Sequence, residues 1–356
     1  MIDDLAIYLV AILASFLLSF FLVPLIIKLA LKFKVIDKPT ADRKIHRQPI
    51  PLLGGLAIFI ASFAVLFVFR FFHLANFAKI PDQFIFGVLA AGTLLMIGGW
   101  LDDKYQLKPW QQVIWPVAAA LLVLFLGIKI NYITNPLGGP ANAIIYLAPA
   151  IGMIISFFWL MGMMYTTKFL DGLDGLASGI AAIASVIIFL LSLDWDVPMS
   201  ATGIWSLIIL GATAGFLVFN WHPAKIFMGE GGSVFLGFIL AVLSIISGSK
   251  IATTLLVLGL PALDVLAVVI WRLLRKESPF SHADKKHLHF RLLDLGLSQT
   301  SAVLLLILIS LVFGSLAIVF HGLGKLVGLA VMVLLMLALI VFFALKNQNN
   351  SSRTDE

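Results

Sequence analysis

No cysteine occurs among the 356 residues, so a disulfide framework, a thiolate metal site and a thiol nucleophile are all excluded. Any chemistry must use oxygen and nitrogen groups. Charge is scarce too: Asp, Glu, Lys and Arg make up 12% of the chain, against about 25% in an ordinary soluble domain. Apolar residues fill the difference, at 61% of the sequence with a mean hydropathy of +1.09. Water is therefore not the main solvent of this chain. The formal charge of +6 could suit nucleic acid or an acidic membrane surface. In a chain this apolar a basic excess marks cytoplasmic loops, so no nucleic-acid partner is expected. No internal repeat is evident and no linker separates two domains. Residues 1–346 read as one polytopic unit, followed by a polar tail, 347–356, whose composition suggests disorder.

About 20 apolar residues as helix cross the roughly 30 Å of hydrocarbon in a bilayer, and that ruler finds about eleven segments. They are 5–31, 52–72, 84–100, 112–130, 144–165, 176–193, 201–219, 233–247, 251–271, 301–320 and 324–345. The first is too long for a signal-peptide core and has no basic start, so it reads as a span. Long apolar runs must satisfy their backbone internally, which makes the expected fold an all-α integral membrane protein. Lys and Arg gather after odd-numbered spans, among them Lys34, Lys104, Lys168, Lys225, Arg272 and Lys346. The other face holds Arg70, Lys79, Lys129, Lys250 and Lys325. By the positive-inside rule the first set is cytoplasmic, with the N-terminus outside and the C-terminus inside.

Every unusual polar cluster falls on that same side, one in each odd loop. The first runs from Asp37 to His46, followed by Pro49, Pro51, Gly54 and Gly55. Its cations either meet anionic headgroups or grip phosphate, with Lys44 and His46 the candidates for the second role. Next, Asp102 and Asp103 end a span together, with Lys104 and Lys108 following. Two like charges at a membrane boundary are costly unless a cation or proton relieves them, and Mg2+ suits carboxylates combined with substrate phosphates. Two solvated loop acids are the alternative. In the third loop, Lys168-Phe-Leu-Asp-Gly-Leu-Asp-Gly, Asp171 and Asp174 would share a face if helical, and the glycines admit a ligand closely. The stretch is too short and apolar for a calcium loop.

The fourth loop runs from Asn220 to Ser233 and contains Phe227, Gly229, Glu230, Gly231 and Gly232. Small residues beside Glu230 could leave backbone N–H groups free at a helix start, a favourable place for phosphate. It lacks the Gly-Lys-Ser/Thr ending of a Walker loop. Phe227 could stack on a base or pack against its neighbours. The fifth loop holds His282, Asp284, Lys285, Lys286, His287, His289 and Arg291. Diphosphate contact, proton handling, headgroup contact and zinc are all open there, the H-x-H pair lacking a thiolate partner. Asp264, after Pro261, lies inside a span and is either functional or a helix-to-helix hydrogen-bond partner. Acids for a cation, bases for phosphate and an aromatic for a base ring, all beside lipid, suit phosphoryl transfer between a nucleotide donor and a membrane acceptor.

The stretches DKPTADRKIHRQPIPLLGG, GGWLDDKYQL, FLDGLDGLASG, FNWHPAKIFMGEGGSVFLGF and DKKHLHFRLLDLGLSQ, in that order, resemble the polyprenyl-phosphate N-acetylhexosamine-1-phosphate transferases of the WecA and TagO type. These form part of glycosyltransferase family 4. The resemblance implies Mg2+-dependent attack of a lipid phosphate, typically undecaprenyl phosphate, on the β-phosphorus of a UDP-sugar, releasing UMP. It also implies a multi-pass protein of the bacterial cytoplasmic membrane that starts a cell-envelope polymer, with Mn2+ as a substitute ion and a homodimer open. It places Asp102, Asp103, Asp171, Asp174, His287 and His289 in the catalytic set. Lys44, His46, Lys108, Lys168, Asn220, Phe227 and Arg291 fall to substrate binding, and Glu230, Asp103 and Asp171 to the metal. The fifth loop resembles the amino-sugar branch, which implies UDP-GlcNAc, with UDP-MurNAc-pentapeptide the alternative. Four positions depart from the pattern: Lys168 stands for Asn, Glu230 for Asp, Gln106 for a third acid and Phe290 for a third His. Glu reaches further than Asp, so a shifted metal site is expected. A lipid-linked sugar transporter would instead carry polar groups at the bilayer midplane and repeated halves. A scaffold would not need acids and histidines in every loop.

Overall fold

A computed structural model describes residues 2–39, 48–77, 80–135, 144–195, 199–248, 251–276, 287–320 and 322–354. Lys44, His46, His282, Asp284, Lys285 and Lys286 lie outside the described residues. The chain folds as helices: α1 (Ile2–Phe33), α2 (Gly55–Phe71), α3 (Asp82–Tyr105), α4 (Pro109–Phe125), α5 (Pro149–Leu170), α6 (Leu176–Trp195), α7 (Ala201–Asn220), α8 (Gly229–Ile246), α9 (Ile251–Leu274), α10 (Leu288–Asp294), α11 (Gln299–Val319) and α12 (Leu323–Thr354). Among the described residues nine of these are long and apolar enough to cross a membrane, and α2 and α4 are shorter apolar helices. Each of the eleven apolar segments read from the sequence thus corresponds to a helix, and the short α10 is additional.

Four differences from the sequence reading have local causes. Between α1 and α2, β1 (Ile36–Asp37) pairs antiparallel with β2 (Ile50–Pro51), which brings the ends of the first polar loop together. A second hairpin, β3 (Tyr132–Thr134) on β4 (Ile144–Tyr146), takes the start of the segment expected at 144–165, so α5 begins only at Pro149. Proline suits the first turn of a helix, where its missing N–H has no partner to lose. The stretch Gly229–Gly232, read as loop, is the first turn of α8. At the other end α12 continues past Lys346 to Thr354, since lengthening an existing helix avoids the cost of nucleation.

α8 is the centre of the bundle. Of its apolar window 89% is buried, against 17% for α12. It packs against α2, α3, α5, α6 and α9, while α1 and α7 form another extensive pair and α12 leans on α9. Two glycine seams permit the tightest approaches: a Cβ on Gly55 would collide with the Cα of Gly232, and one on Gly99 with the backbone of Gly231. Lipid tails are as apolar as Leu, so helices in a membrane gain most from such close backbone packing. The seams bring the end of α3 and the start of α2 against the first turn of α8.

Candidate active site

Because Gly99 lies against Gly231, the next turn of α3 carries Asp103 to the N-terminus of α8. There the N–H of Glu230 donates to both carboxylate oxygens of Asp103, at 3.1 and 3.2 Å. Met228, at the N-cap of α8, makes no side-chain cap, so a side chain from another helix serves instead. Gly229 has φ of +78° and lies against Asp103, a position closed to a side chain on both counts. The helix start expected to be open for phosphate is thus occupied at Glu230 by a carboxylate. Asp102 turns the other way, accepting from the N–H of Leu107 at 2.9 Å and from Gln112 Nε2 at 3.0 Å.

Lys168, in the last turn of α5, points into this acidic group. Its Nζ lies 2.5 Å from Glu230 Oε1 and donates to Gln112 Oε1 at 3.0 Å. Gln112 therefore links Asp102 to Lys168, a role the sequence reading missed. Asp171 caps α5 and shares no helical face with Asp174, because the chain turns at once from α5 into α6. Burial, with the Glu230 and Asp174 carboxylates nearby, pushes the Asp171 carboxyl up to about 7.

Asp174 accepts from His222 Nδ1 at 2.7 Å and from the N–H of Ala224 at 3.1 Å, tying the third loop to the fourth. Asn220 completes that tie: its Oδ1 accepts from the N–H of Gly175 and from Ser178 Oγ, and its Nδ2 donates to the carbonyl of Ile226. The N–H of Phe227 donates to the Pro51 carbonyl at 2.9 Å, which joins β2 to the same loop. These loops enclose a cavity of about 850 Å³, within the roughly 300–1,000 Å³ usual for small-molecule sites. Its lining includes Asp37, Asp171, Asp174, Asn220, His222, Phe227 and Phe290. A separate cleft of about 280 Å³ between α2, α3 and α8 is lined by Leu53, Leu56, Phe59, Met96, Ile97, Trp100 and Met228, with Asp103 among them.

The histidines sit beside the third loop. His287 Nδ1 meets Asp264 Oδ2 at 2.8 Å, and the N–H of Leu288 donates to the other oxygen at 3.0 Å, so Asp264 fixes the start of α10. The rings of Phe169, His287 and His289 form a stack, with successive centroids 5.5 and 5.7 Å apart. His289 Nε2 is buried, has no hydrogen-bond partner among the described residues and faces Gly172. Burial, with His287 adjacent, pushes His289 down to about 3, so its imidazole is neutral at ordinary pH. Two predicted binding residues lie elsewhere. Lys108 is exposed at the head of α4, and the Arg291 guanidinium rests 5.5 Å from the centre of the Phe343 ring on α12.

The metal ion implied by the family resemblance would fall to Glu230, Asp103 and Asp171. As folded, these residues do not fit it. Asp103 accepts from the Glu230 N–H at the start of α8, Glu230 holds the Lys168 ammonium, and among the described residues no three His, Asp or Glu side chains converge as a metal site.

A family model described as "Glycosyl transferase family 4" matches residues 85–248, the stretch from α3 to α8 that carries the acid cluster. A Bacillus subtilis protein named "Probable undecaprenyl-phosphate N-acetylglucosaminyl 1-phosphate transferase" is 31% identical over 316 residues, covering 87% of this chain and 84% of its own length. The "Decaprenyl-phosphate N-acetylglucosaminephosphotransferase" of Mycolicibacterium smegmatis is 30% identical over 346 residues, 88% of this chain and 83% of its own. An Escherichia coli K12 protein named "Undecaprenyl-phosphate alpha-N-acetylglucosaminyl 1-phosphate transferase" is 24% identical over 301 residues, 82% of this chain and 78% of its own. Since the identity to the Bacillus protein is sustained across nearly the whole length of both chains, this chain belongs to glycosyl transferase family 4.

Proposed function

We propose that the chain transfers N-acetylglucosamine-1-phosphate from UDP-GlcNAc to a polyprenyl phosphate such as undecaprenyl phosphate, releasing UMP. The observation that carries this reading is the pair of spaces flanking one acid cluster. The larger cavity has Asp171, Asp174, His222 and Phe227 in its wall, and the apolar cleft between membrane-spanning helices ends on Asp103. A water-soluble nucleotide suits the first and an isoprenoid chain suits the second. The relatives' names supply the two reactants: N-acetylglucosamine-1-phosphate and undecaprenyl or decaprenyl phosphate.

In this reading the lipid phosphate comes up to Asp103 from the cleft, and that carboxylate orients the phosphate or accepts its proton. An oxygen of the lipid phosphate forms a bond to the β-phosphorus of the donor. The bond from that phosphorus to the bridging oxygen breaks, and the electron pair leaves on UMP. Phosphoryl transfer asks the protein for in-line placement and charge stabilisation more than for covalent chemistry. Phe227 offers a flat face for uracil, and neutral His289 beside Gly172 can donate one hydrogen bond to a phosphate or sugar oxygen. In this reading the site faces the cytoplasm from a bacterial cytoplasmic membrane, which the basic loops support through the positive-inside rule.

The test is UMP release by the purified full chain in detergent with undecaprenyl phosphate, supplied in parallel with UDP-GlcNAc or UDP-MurNAc-pentapeptide. Release with UDP-GlcNAc alone is expected. Release with the pentapeptide donor alone would move the protein to the other branch, and release with neither from a folded chain would overturn the proposal.

A further inference from the structure

Lys168 and Glu230 are two of the positions at which the chain departs from the pattern it resembles, and they touch each other. The ammonium sits beside the partly buried Asp102 and Glu230. Asp103 holds the start of α8, Asp102 holds Leu107 and Gln112, and Gln112 completes the bracket by accepting from Lys168. Both partners of the ion pair are largely buried, with side-chain exposures of 17% and 18%, so removing one would leave an uncompensated charge away from water. Mg2+ dehydrates reluctantly and normally keeps several waters. The gap beside Glu230, Asp102 and Gln112 is about 10 Å³, room for one water at most. Lys168 is three residues before Asp171, which lines the large cavity.

Positive charge at a transferring phosphoryl group can come from Arg, Lys or Mg2+ alike, provided it is held in place beforehand. We propose that Lys168 is the built-in cation of this site: braced by Glu230 and Gln112, its ammonium replaces a divalent ion at Glu230 and stabilises the charge that develops on the departing UMP, so that transfer proceeds without divalent metal. The proposal rests on the transferase reading above. The atoms balance as already described, with no added oxidant, reductant or co-reactant, and the ammonium keeps its proton throughout.

The test uses the full chain in detergent, stripped of metal, with two readouts. UMP release is measured in EDTA and in Mg2+ for wild type, Lys168→Arg and Lys168→Asn. Binding of Mn2+ to the same proteins, and to Lys168→Asn/Glu230→Gln, is followed by electron paramagnetic resonance without substrate. Wild type is expected to work equally well in EDTA and in Mg2+ and to bind no Mn2+ at Glu230, and Lys168→Arg to retain metal-independent turnover. Lys168→Asn is expected to lose about 10²- to 10³-fold of its turnover in EDTA, the usual cost of removing one preorganised group. It should also gain a Mn2+ site that Glu230→Gln removes. Wild-type activity that stops in EDTA and returns with Mg2+ would overturn the proposal, and that arm needs no variant to fold. Equal Mn2+ affinity in wild type and Lys168→Asn would overturn it as well. If folded wild type releases no UMP under any condition, the transferase reading fails, and the Mn2+ titration still decides what occupies Glu230.

Discussion

Asn220 spends its side chain on the protein: one end receives Gly175 and Ser178, the other donates to Ile226. Replacing it with Ala strands a buried N–H and a buried carbonyl, each costing about 1–3 kcal/mol. Asn220→Ala should therefore lower the melting temperature as well as the turnover, which a thermal scan in detergent checks. Asp103→Asn should behave differently. The amide oxygen can still accept the Glu230 N–H, so melting stays near wild type while UMP release falls by about 10²- to 10⁴-fold, the scale of general acid–base assistance. Unchanged turnover would remove Asp103 from the mechanism. His289 gives a pH effect. Its folded value of about 3 lies below the unfolded 6.5, so its contribution to stability is present above 6.5 and is lost as pH falls toward 3. Melting temperature should drop between pH 7 and pH 4, and His289→Gln should flatten that drop. The acids and histidines were legible in the sequence because charge in so apolar a chain is conspicuous. Gln112 and His222 were not, since a polar residue near a helix start or before a proline looks merely solvated until its partner is known.

At the scale of elements, hydropathy located the long helices and missed what depends on contact. Neither hairpin has a strand long enough to show a period of two. The first turn of α8 read as loop because Gly229, Gly231 and Gly232 carry no helical signal of their own. Their purpose appears only against α2 and α3. Gly99→Ala should force α3 off α8 and pull Asp103 from the Glu230 N–H. Overpacking of this kind costs about 1–3 kcal/mol. Loss of activity together with a lower melting temperature is the expected result. Wild-type behaviour would mean that the seam is looser than it looks.

For the whole molecule, the parity of basic loops predicts which face is which. The absence of cysteine makes this directly measurable, since a single introduced thiol is the only one present. In intact cells an impermeant maleimide should label His73→Cys and should reach Lys34→Cys only after permeabilisation. The reverse pattern would invert the topology and with it the cytoplasmic site. The burial of α8 bears on how the protein is made. A helix with 89% of its apolar window enclosed has little surface left for lipid. Of the helices it packs against, α2, α3, α5 and α6 precede it in the chain and α9 follows. During synthesis most of the socket can therefore be in the membrane before the plug leaves the ribosome.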